Sequence, residues 1–227
     1  MKIINKLFIV LIVLSSAGCQ NPSYMENKQH NINPTETYHV YVDSINDGND
    51  HKNKTYVISP GVKGVSENDL QYKEYAQYLH RALQKAGYKK ASSKDKANIN
   101  ILFVYGIGEP EKETSYQTTS LGALMPLEYS FLALATSKTT AHTEKTYTRT
   151  LLLDAYDYSY FKSTGKEKQL WLTKATSSGT RDDLRVVLPV VITAVVPYIG
   201  TNTREKTKLV VGAPSRQLYE IMGKKIQ

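Results

Sequence analysis

Tyr38, Val40 and Val42 alternate with their neighbours over 38–42, and Tyr56 and Ile58 do so over 54–58; both patterns predict strands. Pro60 and Gly61 end the second of them. The polar segment 43–53 between them, with Asn46, Asp47, Gly48, Asn49 and Asp50 at its tip, reads as an ordinary turn. It lacks the alternating ligands and closing Glu of a calcium-binding EF-hand loop. From Ser66 the repeat lengthens. Tyr72, Tyr75, Ala76, Leu79, Ala82, Leu83 and Ala86 form one apolar stripe at steps of three and four, which predicts a helix. Ser66 and Asp69 have capping-box spacing at its start, and Gly87 stops it. Residues 99–105 return to a strand whose second half is apolar on both faces, predicting a central place in a sheet. Gly106, Gly108 and Pro110 end it.

Residues 111–146 are dense in Ser and Thr around an apolar stretch at 121–135. They are too few for a core of their own, so a β-hairpin excursion or flap is expected. Leu124, Met125, Leu127, Phe131 and Leu132 either fold back on the domain or meet a membrane or partner. Residues 147–157 and 169–175 predict an antiparallel pair, with Gly165 in the connection. Thr180 and Asp183 repeat the capping spacing and open a helix through the 14-residue apolar run 186–199. That run is short of the roughly 20 residues that span a bilayer, and Pro189 marks a bend, so a kinked helix in the core is expected. A strand at 208–212 and a helix at 215–225 finish the chain. The fold class is α/β of the α+β kind. Residues 38–227 form a single domain, with a mixed, largely antiparallel sheet and helices mainly on one face.

The N-terminus carries an address. Lys2 and Lys6 precede an apolar tract at 7–14, and small residues Ser15, Ser16, Ala17 and Gly18 lead into Cys19, in the order a secretory signal requires. Residues 14–19 resemble a bacterial lipobox. The resemblance implies cleavage between Gly18 and Cys19, diacylglycerol on the Cys19 sulfur, and acylation of the new amine. Residues 1–18 are then a lipoprotein signal peptide, and the polar, Asn-rich residues 19–37 a flexible tether. Gln20, where Asp would suggest inner-membrane retention, points to the periplasmic face of an outer membrane. The covalent lipid on Cys19 is the only cofactor expected.

Composition narrows the chemistry. Apolar residues at 41% and charged residues at 22% belong to a folded globular protein. The lone Cys19 leaves no intramolecular disulfide. Net charge is +8, and +6 once Lys2 and Lys6 are removed, which favours an anionic envelope component or another envelope protein as partner. The basic residues are scattered, densest at Lys89-Lys90 and Lys224-Lys225, so no nucleic-acid partner is expected. His30, His39, His51, His80 and His142 fall in five different segments, and no metal site is expected. There is no Gly-x-Ser-x-Gly elbow, and Gly106 and Gly108 lead into Glu109-Pro110 rather than a phosphate-cradling helix. Asp154 and Asp157, three apart on a strand, point to opposite faces unless a bulge intervenes. Asp183 with Arg185 reads as a cap or a structural ion pair. No catalytic residue is nominated. Tyr156, Tyr158 and Tyr160 would share one strand face and offer a stacking surface for glycans, or else pack on the sheet.

Several segments occur in a familiar order: 54–60; Asp69-Leu70 through Gly87-Tyr88; 97–101 leading into Tyr105-Gly106-Ile107-Gly108-Glu109-Pro110; Leu170-Trp171; Ser177-Ser178-Gly179; and Asp183-Leu184-Arg185 with Pro189. Over about residues 38–225 this resembles the bacterial lipoprotein family carrying Domain of Unknown Function 4136. Members have a Gly-, Ser- and Tyr-rich middle segment, whereas 118–136 here is more aliphatic. The resemblance implies a small envelope domain behind a lipid anchor and no agreed activity. A non-enzymatic binding or structural module of the cell envelope is therefore expected. The alternatives are a hydrolase of cell-wall or lipid substrates and a membrane-active factor using residues 121–135.

Overall fold

Period-two burial in the strands and one apolar helix stripe build the core from opposite sides. The computed structural model describes residues 36–127 and 130–225, and for 121–136 only the backbone. Gly18, Cys19 and nearly all of the expected tether lie outside these. The strands are β1 (Thr37–Asn46), β2 (Thr55–Pro60), β3 (Lys89–Lys90), β4 (Ile99–Ile107), β5 (Glu111–Leu127), β6 (Ser130–Asp157), β7 (Gln169–Gly179) and β8 (Thr207–Gly212). The helices are α1 (Leu70–Lys85), α2 (Tyr158–Thr164), α3 (Leu184–Val195) and α4 (Arg216–Met222).

The sheet runs β3-β2-β4-β6-β7-β1-β8, with β5 paired to the outer half of β6. Only β2 with β3 and β2 with β4 pair in parallel. The fold is a single mixed α/β domain with a mostly antiparallel sheet. Ile101 and Phe103 of β4, Leu151 and Leu153 of β6, and Val40 and Val42 of β1 are fully buried on one sheet face. The α1 stripe, Tyr72, Tyr75, Ala76, Leu79, Ala82 and Leu83, is buried in the same core. β4 is interior, as its sequence predicts, but only one of its faces is covered: Leu102 and Val104 are half-buried.

Every residue of α3 from Val186 to Val195 is buried, as expected for a helix apolar all round. It runs through Pro189 as one element and ends at Val195, short of the predicted 199, with a 3-10 turn at Val196–Tyr198. Its cap is Asp183 rather than Thr180: the Asp183 carboxylate accepts the Arg185 N–H at 2.9 Å. Arg185 pairs instead with Glu74 of α1 at 2.9 Å. Similarly, residues 66–69 form a turn in which Asp69 accepts the Ser66 N–H at 2.8 Å, and α1 starts at Leu70. Asp183→Ala should therefore cost about 1 kcal/mol, the usual worth of an N-cap. Arg185→Ala, which breaks a solvent-exposed ion pair, should cost about half that or less. Urea melts of the two variants check this, and equal losses would refute the cap assignment.

Candidate functional site: a bare two-stranded ribbon and its base

β5 and β6 leave the sheet as a hairpin. Pairing is continuous from Glu111↔Thr146 to Leu127↔Ser130, without a bulge. The 17 residues of β5, at roughly 3.3 Å each, make an arm about 55 Å long. The hairpin expected from the Ser/Thr-rich sequence is thus present, as two regular strands. All residues of 111–120 and 137–145 are exposed, so among the described residues no layer covers either face of the shaft. Among the described residues β5 pairs only with β6, and the 130–146 half of β6 only with β5. Both outer edges carry unpaired backbone donors and acceptors. An isolated two-stranded ribbon is marginal in water, so an arm of this length calls for a partner phase or partner strand.

Register separates the two faces. One face holds even-numbered positions of β5 and odd-numbered positions of β6, and along it Thr114 meets Thr143 and Thr118 meets Thr139, each pair at 3.1 Å between hydroxyls. Beyond Lys112 and Lys145 this face has no charged residue. The opposite face carries Glu111, Glu113, Gln117, Lys138, His142 and Glu144 along the shaft, and by register the positions of Leu121, Met125, Leu127, Leu132 and Leu134 toward the tip. Lys112 stands directly across from Lys145, and Glu113 from Glu144. Like charges so placed repel within a lone ribbon. Leu124, Met125, Leu127, Phe131 and Leu132 lie at the tip by register; their side chains are outside the described residues.

A buried arginine anchors the ribbon's base. Arg149 is 2% exposed and faces inward in phase with Leu151 and Leu153. Its Nη2 donates to the Arg181 carbonyl. A Cβ at Gly179 would come 3.0 Å from Nη1, so a side chain there would press on the guanidinium. Arg181 Nε in turn reaches both carboxylate oxygens of Glu36, at 2.9 and 2.7 Å. Burial lowers the Arg149 pKa, and it pushes the neighbouring Tyr38 hydroxyl up to about 12, assisted by the Glu36 charge. Among the described residues, the Arg149 Nε, Tyr38 hydroxyl and Ser177 hydroxyl are buried without hydrogen-bond partners. The cluster ties together the start of β1, the inner start of β6 and the end of β7. The missed signal was one charged residue at an inward position of an otherwise apolar strand.

The start of the folded chain lies at this same end. Val40 of β1 pairs with Ser177 of β7, which pairs with Arg149 of β6, and Arg149 pairs with Ile107 at the end of β4. Thr37 extends three residues further, toward the ribbon, opposite Gly212.

The tyrosine platform needs correction. Tyr156 is on β6 and donates to Asp154 at 2.8 Å, but Tyr158 and Tyr160 lie on α2, not on a strand face. Asp157 caps that helix by accepting the Tyr160 N–H at 2.9 Å, and Gly165 closes it with φ +69°. The Tyr158 and Phe161 rings stack at 6.2 Å. Local capping thus overrides the period-two spacing of the tyrosines.

Other chemistry is dispersed. A register shift does fall between Ala155 and Tyr156, yet Asp154 accepts Tyr156 and Gln169 while Asp157 caps α2. His51 is buried against Asp47 at 2.7 Å, His39 and His142 are exposed, and His80 is half-buried on α1. No group of three His, Cys, Asp or Glu gathers as a metal site among the described residues. A hollow of about 250 Å³ lies among Lys85, Thr193, Pro197 and Ile221, and one of about 320 Å³ among Glu67, Tyr72, His80 and Lys90. Among the described residues no helix is long and apolar enough to cross a membrane, which says nothing of strands.

No family model matches the chain, and no curated protein matches it. Among solved structures, a PDZ domain protein from Parabacteroides distasonis ATCC 8503 is similar at 14% identity with a TM-score of 0.41. The match covers 82% of this chain and 41% of that one, so the chain spans less than half of that protein's length.

Proposed function

We propose that the chain is a lipid-anchored, non-enzymatic protein of the bacterial envelope whose ribbon is a membrane-contacting arm. One observation carries this: a 17-residue ribbon, uncovered along its shaft, leaves the sheet at the end where β1 begins. A lipid on Cys19 and the arm then serve the same bilayer. Residues 19–36 reach at most about 60 Å when extended, enough to follow the arm over its length. The sequence grades from a polar shaft to an apolar tip, the order expected for insertion from water.

The test is sedimentation of Cys19→Ala protein with anionic vesicles at about 1 M salt, where the Debye length is about 3 Å and net charge no longer holds the protein. Binding should persist without the lipid and fall at least tenfold when residues 113–144 are replaced by a two-residue turn. Equal binding with and without the ribbon would overturn the proposal.

A further inference from the structure

We infer that the ribbon pairs with the ribbon of a second copy of this chain, β5 against β5, in an antiparallel register centred on Tyr116. The contact uses an edge of the ribbon rather than its faces, so it stands apart from the membrane role. β5 takes the side of β6 that β4 leaves: Ile107 pairs with Arg149, the Gly108 N–H donates to the Thr148 carbonyl at 2.8 Å, and Glu111 pairs with Thr146. β2, the outer neighbour of β4, ends with Pro60 opposite Phe103. Among the described residues, the whole β5 edge past that point therefore lacks a neighbouring strand. Such a row of free N–H and C=O groups is a template for another chain, and the exposed shaft carries no proline to blunt it.

The register follows from the residues on that edge. In an antiparallel pair the two backbone groups of a residue point to one edge and those of the next residue to the other, so residues of like parity oppose each other. A two-fold pairing of β5 with itself then has its axis through a residue. Centres at Glu111, Lys112 or Glu113 set a charge against its own copy, which repels. The stretch 114–118 is near-symmetric about Tyr116. With the axis there, Tyr116, 73% exposed in one copy, meets the second copy's Tyr116, an aromatic cross-strand pair. Thr114 meets Thr118 of the second copy, and each already touches a threonine hydroxyl of β6 at 3.1 Å, so one row of threonines runs across all four strands. Lys112 faces Ser120 and Glu113 faces Thr119. The second copy's Leu127 falls opposite Tyr105, short of Pro60. The β6 edge offers no such fit. β7 occupies it as far as Tyr147↔Gly179, so a second β6 must stop at Thr146, and the fullest overlap left sets Lys138 against Lys138. The contact is isologous and closes at two copies. Its axis stands perpendicular to the strands' sheet, so both copies turn the same ribbon face the same way, as two chains anchored in one bilayer require.

The experiment uses the Cys19→Ala protein, which lacks both the lipid and the single thiol. Sedimentation should show a dimer. Tyr116→Lys, which sets two ammonium groups on the axis, should weaken it at least tenfold, whereas Tyr116→Phe should keep it. Ala141 pairs with Tyr116 across the ribbon, so Ala141→Lys charges the same level at the other edge and should leave the dimer intact. Circular dichroism controls for folding. Spin labels on single cysteines at 112, 114, 116, 118 and 120 then read the register. The distance between identical sites should be shortest at 116 and grow by about 7 Å per position to either side, twice the rise of a strand. A monomer overturns the pairing and leaves the membrane arm, which vesicle sedimentation reads separately. A dimer lost equally in Tyr116→Lys and Ala141→Lys, or a distance profile without its minimum at 116, overturns the edge and register assigned to it.

Discussion

Gly200→Ala is expected to destabilise the fold by about 2–5 kcal/mol, from two causes that can be separated. The first is backbone: Gly200 sits at φ +69°, where an L residue loses about 1–2 kcal/mol to contact between Cβ and its own carbonyl. The second is packing. A Cβ there would fall on the Tyr88 hydroxyl and lie 3.4 Å from Trp171 Nε1. Tyr88 is 3% exposed and packs its ring 5.8 Å from that of Trp171, so it has little room to retreat. Overfilling such a site costs about 1–3 kcal/mol. The turn itself is held by Asn46 Nδ2 donating to the Gly200 carbonyl at 3.1 Å and by the Thr201 N–H donating to Tyr198 O at 3.1 Å. For a chain of this length the midpoint of thermal unfolding should fall by roughly 5–15 °C. Tyr88→Phe removes the obstructing oxygen. In that background the same substitution should cost only the backbone share, and the double-mutant cycle reads the difference directly. Strict additivity would refute the packing argument.

The architecture was legible where burial imposes a period. Tyr72, Tyr75, Leu79 and Leu83 announced α1 because a helix on a sheet needs one continuous stripe, and the all-apolar 186–195 segment announced α3 because helices and sheet enclose it. The ribbon was legible as a hairpin but not as an amphipathic one. Neither face of its shaft is buried, so alternation there separates charged from uncharged positions rather than polar from apolar ones, and only the register sorts them. Tyr156, Tyr158 and Tyr160 misled because spacing by two is also compatible with a short helix. The carboxylate of Asp157 and the left-handed Gly165 decide that case. Arg149 was hidden because its partners, the Arg181 carbonyl and the Gly179 gap, lie 30 and more residues away.

Acidification should destabilise the domain through His80, and removing that one ring should blunt the effect. His80 sits half-buried on α1, its ring 5.7 Å from that of the fully buried Tyr56, whose hydroxyl lies 3.1 Å from His80 Nδ1. Burial first, and the Lys90 charge second, lower its pKa from 6.5 to about 4. Lys73 and Glu67 line the same hollow. Above pH 6.5 the ring is neutral in both folded and unfolded chains and costs nothing. Between pH 6.5 and 4 the unfolded chain takes up a proton that the folded chain refuses, so stability falls as pH falls, and the loss levels off below about 4. At 1.36 kcal/mol per tenfold change, the loss between pH 7.5 and 4.5 is about 2–3 kcal/mol. Carboxylates in ion pairs also contribute to acid unfolding, which is why the comparison must be with His80→Leu. In that variant the Tyr56 hydroxyl keeps the backbone carbonyl of residue 80, at 3.3 Å, as its acceptor. Urea unfolding followed by the fluorescence of Trp171, the single tryptophan, measures both proteins at both pH values. The wild-type loss should exceed that of His80→Leu by about 2 kcal/mol, and parallel losses would mean that the proton uptake lies elsewhere.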